Sequence, residues 1–247
     1  MLHNVLARGL AAFLVILAVM AMPGIVEAED LVGTDVESRV IIGLSADAGA
    51  VKTMLPSGWT PIAFPSGPLK GANFLMSFID GNVALDAEGN PLSPSSRRAV
   101  SMISLAKQED GDDVRLYLTG VYAAADEDDP YGLKTAAEIA RSHVLSGPAG
   151  GGRQSADIWT VAPETGGELA LSLEFTTGKR SWGFSESKVY SAGNPDFLAV
   201  YRWDSVTDVV MSMAMEKPVN GSFSLINTVP ELTPIFDGNE KVVAILD

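Results

Sequence analysis

Asp129-Pro130-Tyr131-Gly132-Leu133-Lys134-Thr135-Ala136-Ala137-Glu138-Ile139-Ala140-Arg141-Ser142-His143-Val144-Leu145-Ser146 is the stretch whose reading decides the fold. Leu133, Ala136 or Ala137, Ala140 and Val144 recur at helical spacing. Asp129 suits an N-cap, Pro130 the first helical position, and Gly147-Pro148 the stop. The spacing predicts a central helix over residues 130–146, set between two long runs of strand-like sequence.

Upstream, residues 31–38 read as an extended lead-in and 40–44 as a short buried strand. Ser45 caps a short alanine-rich helix over 46–55, closed by Pro56-Ser57-Gly58. Residues 59–70 carry Pro61, Pro65 and Pro68 and form an irregular loop. Residues 73–80 are apolar at nearly every position, as in a strand buried on both faces. Strands follow over 99–107 and 114–122. Downstream of the central element come strands over 155–161, 168–176, 181–190, 197–203, 206–215, 222–226 and 241–246. A short helical turn is expected near 230–236. Strands at this spacing predict a mainly β chain with a few short helices, folded as an antiparallel barrel or sandwich.

Residues 10–22 are an unbroken apolar run behind Arg8, and Val26-Glu27-Ala28 is a small-x-small cleavage pattern. The run is shorter than the ~20 residues of a membrane span. Residues 1–28 therefore read as a secretory signal peptide, and 29–247 as a single domain. The chain is expected in the periplasm or the secreted fraction, with no membrane span after cleavage. It has no cysteine, so an exported fold must stand on packing alone.

Seventeen basic against 31 acidic residues leave a net charge of -14. Such a surface repels phosphate backbones, so nucleic acid is excluded as a partner. A small-molecule ligand is expected, and self-association into a homo-oligomer is left open. Without cysteine, and with His143 the one histidine after the leader, the usual zinc sets cannot be built. No metal and no cofactor are expected. Gly183-Phe184-Ser185-Glu186-Ser187 lacks the last glycine of a nucleophile elbow, and Gly150-Gly151-Gly152 opens no helix after a strand. Asp110, Asp112 and Asp113, like residues 126–129, lack the spacing of a calcium loop and read as solvated turns.

Lysine chemistry remains. A lysine in a dry cavity loses its charge, and the neutral amine attacks a ketone to form a Schiff base. Lys134 follows Tyr131-Gly132-Leu133 and leads the alanine-rich stretch, so it is the candidate nucleophile. On a helix it would equally make an ordinary i,i+4 pair with Glu138 on a wet face. Both readings stand at this point. Trp59, Phe74, Phe78, Tyr122, Trp159 and Tyr201 are candidate walls of a ligand cavity. Arg39, Arg98 and Arg202 are candidate anchors for a carboxylate through the guanidinium fork.

Several segments resemble the acetoacetate decarboxylase-like superfamily, across most of residues 29–247. Met54-Leu55-Pro56-Ser57-Gly58-Trp59 ends the first helix as in that family. Ser187-Lys188-Val189-Tyr190, Phe197-Leu198-Ala199-Val200-Tyr201-Arg202-Trp203, Thr207-Asp208-Val209-Val210 and Pro218-Val219-Asn220-Gly221-Ser222 follow in its order. Pro230-Glu231-Leu232 and Lys241-Val242-Val243-Ala244-Ile245 resemble its closing turn and strand. The resemblance implies a bent antiparallel barrel around an apolar cavity. It also implies Schiff-base decarboxylation by a lysine of a Pro-Lys-Lys pattern. Here Asp129-Pro130-Tyr131-Gly132-Leu133-Lys134 keeps one lysine and lacks the pair. The resulting expectation is an exported β-barrel that binds a small, apolar or keto-acid ligand, with a lysine lyase acting through Lys134 as the alternative.

Overall fold

A computed structural model of the chain describes residues 29–194 and 196–247. The expected leader, residues 1–28, lies outside them. Thr34–Asp247 form one compact unit. Among the described residues the strands are β1 (Gly33–Ser45), β2 (Trp59–Pro61), β3 (Phe74–Asp86), β4 (Arg97–Gln108), β5 (Val114–Ala123), β6 (Lys134–Ser146), β7 (Gln154–Pro163), β8 (Leu169–Thr176), β9 (Ser181–Ser191), β10 (Leu198–Thr207), β11 (Val209–Ser212), β12 (Gly221–Asn227) and β13 (Lys241–Leu246). One short helix, α1 (Ala48–Thr53), lies between β1 and β2, and single 3-10 turns cover Met213–Met215 and Pro230–Leu232. No helix among the described residues is long and apolar enough to cross a membrane.

The central stretch is the main correction: it is strand β6, with no helix in it. Every residue from Ala137, opposite Pro163, to Ser146, opposite Gln154, finds an antiparallel partner on β7. Alanine tolerates either conformation, and the ladder available from β7 overrides its helical preference. Ile139 and Arg141 turn inward while Glu138, Ala140 and Ser142 face solvent, a period of two. The expected Lys134–Glu138 helical pair therefore does not exist. Asp129 caps a turn instead: its two carboxylate oxygens accept from the Leu133 and Lys134 N–H groups at 3.1 and 2.9 Å. Asp129→Ala removes both bonds and is expected to cost about 1 kcal/mol, measured by urea unfolding.

α1 is shorter than its sequence pattern. Asp47, rather than Ser45, is its cap, and accepts from the Ala50 N–H at 2.8 Å. Lys241–Leu246 coincides with the expected closing strand, whereas the strand expected over 206–215 is divided among the end of β10, β11 and a 3-10 turn.

The strands run in the order β11-β13-β1-β3-β4-β5-β6-β7-β8-β12. The expected barrel is not closed: no pairing joins β11 to β12 among the described residues. The sheet nevertheless bends over on itself. Phe78 of β3 and Trp159 of β7 meet with ring centres 5.7 Å apart, although three strands separate β3 from β7 in the order. Between them lies one core, filled by alternate residues such as Ile42, Leu44, Met76, Val100, Leu171 and Leu173. Leu232, in the second 3-10 turn, and Ile235, just beyond it, pack into the same core.

β5 holds a special position. One of its edges pairs with β4. Two parallel strands share the other edge: β9 along Leu116–Leu118, and β6 along Val121–Ala123. The sheet forks there. One branch is β6-β7-β8-β12, and the other is the long β9–β10 hairpin.

Candidate functional site

A cleft of about 250 Å³ opens where β4 begins. Ser96, Arg97 and Arg98 line it from the start of β4, Ala124 and Glu127 from the turn after β5, and Ala137 and Ile139 from the inward face of β6. Its chemistry is thus two guanidinium groups and one carboxyl beside an apolar lining.

Arg97 donates to Asp35 Oδ1 at 2.8 Å. Arg98 uses its Nε on Asp80 Oδ1 at 2.9 Å, the residue directly across the β3–β4 ladder. The side chain is 39 % exposed, and its two terminal nitrogens carry no hydrogen bond among the described residues. Asp80 is held in turn. Its other oxygen accepts from Arg141 Nη1 at 3.0 Å. Arg141 grips Asp157 with two parallel bonds, Nε to Oδ1 at 2.9 Å and Nη2 to Oδ2 at 2.7 Å, and also donates to Ser38 Oγ. Arg141 and Asp157 are only 4 % and 1 % exposed. An alternating row of charges, Asp157, Arg141, Asp80, Arg98, therefore runs from the interior to the cleft. Each member fixes the orientation of the next, as charge-assisted bonds do when water is excluded.

The period of two builds this row. Arg141 shares the inward face of β6 with Ala137 and Ile139, and stands opposite Trp159 on β7. Its guanidinium carbon lies 4.9 Å from the Trp159 ring centre. Trp159 is fully buried, and its indole N–H has no hydrogen-bond partner among the described residues. An unpaired buried donor is costly and marks a place where an acceptor is missing. At the cleft, burial pushes the Glu127 carboxyl above the ordinary carboxylate range, against the opposing pull of Arg97 and Lys134.

Lys134 stands behind this wall. Its Nζ donates to the carbonyl oxygen of Ala125 at 2.9 Å and to that of Glu127. It ties down the turn that carries Glu127. It lies at an even position of β6, on the face opposite Ala137 and Ile139.

The structure gathers some of the expected wall residues and scatters others. Phe74, Phe78, Tyr122 and Trp159 belong to the one large core. Tyr122 donates to Glu231, and its phenol is pushed up, first by burial and then by that carboxylate. Trp59 sits apart with Ala106 and Tyr117, opposite Gln108 at the far end of β4. That is roughly 30 Å along the strand from Arg98. Tyr201 packs beside Tyr131 on the β9–β10 branch and shares a 2.8 Å hydroxyl contact with it. Arg202 pairs with Glu186 on the same hairpin, and Arg39 pairs with Glu37 and covers the Trp203 ring. Of the three arginine candidates, Arg98 lines the cleft.

Arg97, Glu127, Asp80, Arg141 and Asp157 were not singled out from the sequence. The signal for the last two lay in the alternation. Asp157 falls in phase with Trp159 and Val161 on β7, and Arg141 in phase with Ile139 on β6. Charges at such positions are buried charges.

No family model matches the chain. No curated protein matches it either. Solved structures do. An acetoacetate decarboxylase-like enzyme from Sphingomonas wittichii RW1 superposes with a TM-score of 0.53 at 10% identity, over 89% of this chain and 88% of that one. The enduracididine biosynthesis enzyme MppR complexed with pyruvate gives 0.53 at 10% identity, over 85% and 82%. The same enzyme with HEPES buffer bound gives 0.54 at 10% identity, over 85% and 80%. The bent, mostly antiparallel sheet is thus the acetoacetate decarboxylase-like fold.

Proposed function

We propose that this chain is an exported binding protein for a small carboxylate of the keto-acid kind, held in the cleft at the start of β4. The observation that carries the reading is the outer half of the Arg98 guanidinium. It lines the cleft without a partner while the row behind it holds it in place. A planar fork beside an apolar lining suits a short acid with a carboxylate at one end. The cleft volume is below the ~300 Å³ typical of pockets for larger molecules, which favours a ligand of few heavy atoms. A protein of the same fold is described with pyruvate bound. Pyruvate is therefore the first probe, followed by longer 2-keto acids. Titration calorimetry should show saturable binding of the acid and none of the corresponding amide. Equal binding of both would remove the carboxylate from the proposal. The export half is checked by N-terminal sequencing of the protein recovered outside the cytoplasm, which should begin at Glu29.

The alternative is a Schiff-base lyase using Lys134, favoured by the place of this lysine immediately behind the cleft wall. Its amine would have to leave both carbonyls of the 125–127 turn before attacking a ketone. Condensation would release water, and borohydride would reduce the imine to a stable secondary amine. We expect pyruvate and borohydride to leave the intact mass unchanged. A single adduct mapped to Lys134 would establish the enzyme instead.

A further inference from the structure

The β9–β10 hairpin is unlike the rest of the surface. β10 is ten residues long, pairs with β9 from Leu198–Tyr190 to Thr207–Ser181 without a register shift, and has no second neighbour among the described residues. Trp182 and Phe184 on β9 are 72 % and 71 % exposed, with Val206 exposed beside Trp182. Long, regular edges bearing exposed apolar side chains are what monomeric proteins avoid with proline, charged side chains or a bulge. β10 has no proline and no bulge, and its two charges, Arg202 and Asp204, are of opposite sign.

We infer that β10 pairs antiparallel with β10 of a second copy of this chain about a two-fold axis through Trp203. This inference is independent of the ligand proposal. The Ser191 N–H donates to the Phe197 carbonyl, so the odd-numbered residues of β10 bond inward to β9. The N–H and C=O groups of the even-numbered residues, Leu198 through Val206, then point to the open edge. An axis at Trp203 sets Arg202 opposite Asp204 of the second copy and Asp204 opposite its Arg202. Both are even positions, so both pairs are hydrogen-bonded pairs of the new ladder. One basic and one acidic residue flank the axis, and the strand is complementary to itself in reverse, as an isologous contact requires.

The side chains agree on both faces. On the even face, Phe184, Asp204, the second copy's Arg202 and its Glu186 form one row, in which the arginine lies between two carboxylates. In the next row Trp182 and Val206 meet the second copy's Val200, extending an apolar strip that one copy leaves in water. On the odd face the two Trp203 residues stand opposite each other across the axis, each ring stacked on its own Tyr201, with ring centres 5.2 Å apart and planes at 10°, and covered by its own Arg39. Cross-strand aromatic pairs and opposite charges are the favourable neighbours of a sheet.

Sedimentation velocity of the purified chain should show a monomer–dimer equilibrium that shifts with concentration. Asp204→Arg sets like charges opposite each other twice, and should weaken the dimer by roughly tenfold or more. Arg202→Asp should do the same. Mixing these two variants should restore association as a heterodimer, since each strand then faces opposite charges. A general loss of fold cannot produce that recovery. A chain that stays monomeric at every concentration, a dimer indifferent to both reversals, or two variants that fail to associate on mixing would each overturn the pairing.

Discussion

Arg141→Met should unfold this protein far more easily than any surface change, lowering its stability by about 3–5 kcal/mol. Arg141 is buried and holds three elements at once: Ser38 on β1, Asp80 on β3 and Asp157 on β7. Removing it strands the Asp157 carboxylate, which is 1 % exposed and would keep no comparable partner. The cost is mostly that orphaned charge, and only secondarily the lost attraction. In a domain of this size it corresponds to a fall in melting temperature of roughly 10 °C. The origin of the cost can be isolated. Asp157→Leu added to Arg141→Met removes the stranded charge, and should recover much of the loss. A single variant that melts within about 1 °C of the parent would mean that the row contributes little and that water reaches it freely.

Arg98→Met should reduce affinity for a small carboxylate by roughly tenfold, the value of a charge-assisted pair at a partly exposed site. The fold should suffer less than in the first case, because Asp80 keeps its bond to Arg141. Arg98→Lys should retain part of the binding, since the charge remains while the planar fork is lost. Arg97→Met should have the smaller effect, as that side chain is already spent on Asp35. Calorimetry with pyruvate reads all three. If Arg98→Met binds as tightly as the parent, the ligand sits elsewhere and the cleft is merely a surface hollow.

The β character of the chain was legible because most strands carry their own signal. Lys241–Leu246 is a short apolar run between turn residues, and β7 alternates cleanly. β6 failed because Ala136, Ala137, Ala140 and Val144 satisfy a helical period as well as a strand period. The deciding information lay in β7, a different part of the sequence. The error propagated to the site. Wound as a helix, residues 130–146 would set Arg141 on the same face as Lys134 and Glu138. Laid out as a strand, it turns inward and reaches Asp80 and Asp157. Arg98 is a candidate in the sequence because any arginine is a fair carboxylate anchor. Its partner Asp80 is not, since cross-strand register between β3 and β4 is not written in either strand alone. The aromatic candidates divide for a similar reason. Phe78 and Trp159 converge only because the sheet bends, while Trp59 and Tyr201 serve separate small clusters.

The divided edge of β5 gives this molecule a stem with two limbs. Leu116–Leu118 carry one limb and Val121–Ala123 the other, so each limb has its own stretch of the β5 ladder. Descent with modification can therefore lengthen, shorten or recharge the hairpin limb while the limb that bears Arg141 stays as it is. The open edge of the one limb and the buried charges of the other are free to diversify on separate schedules.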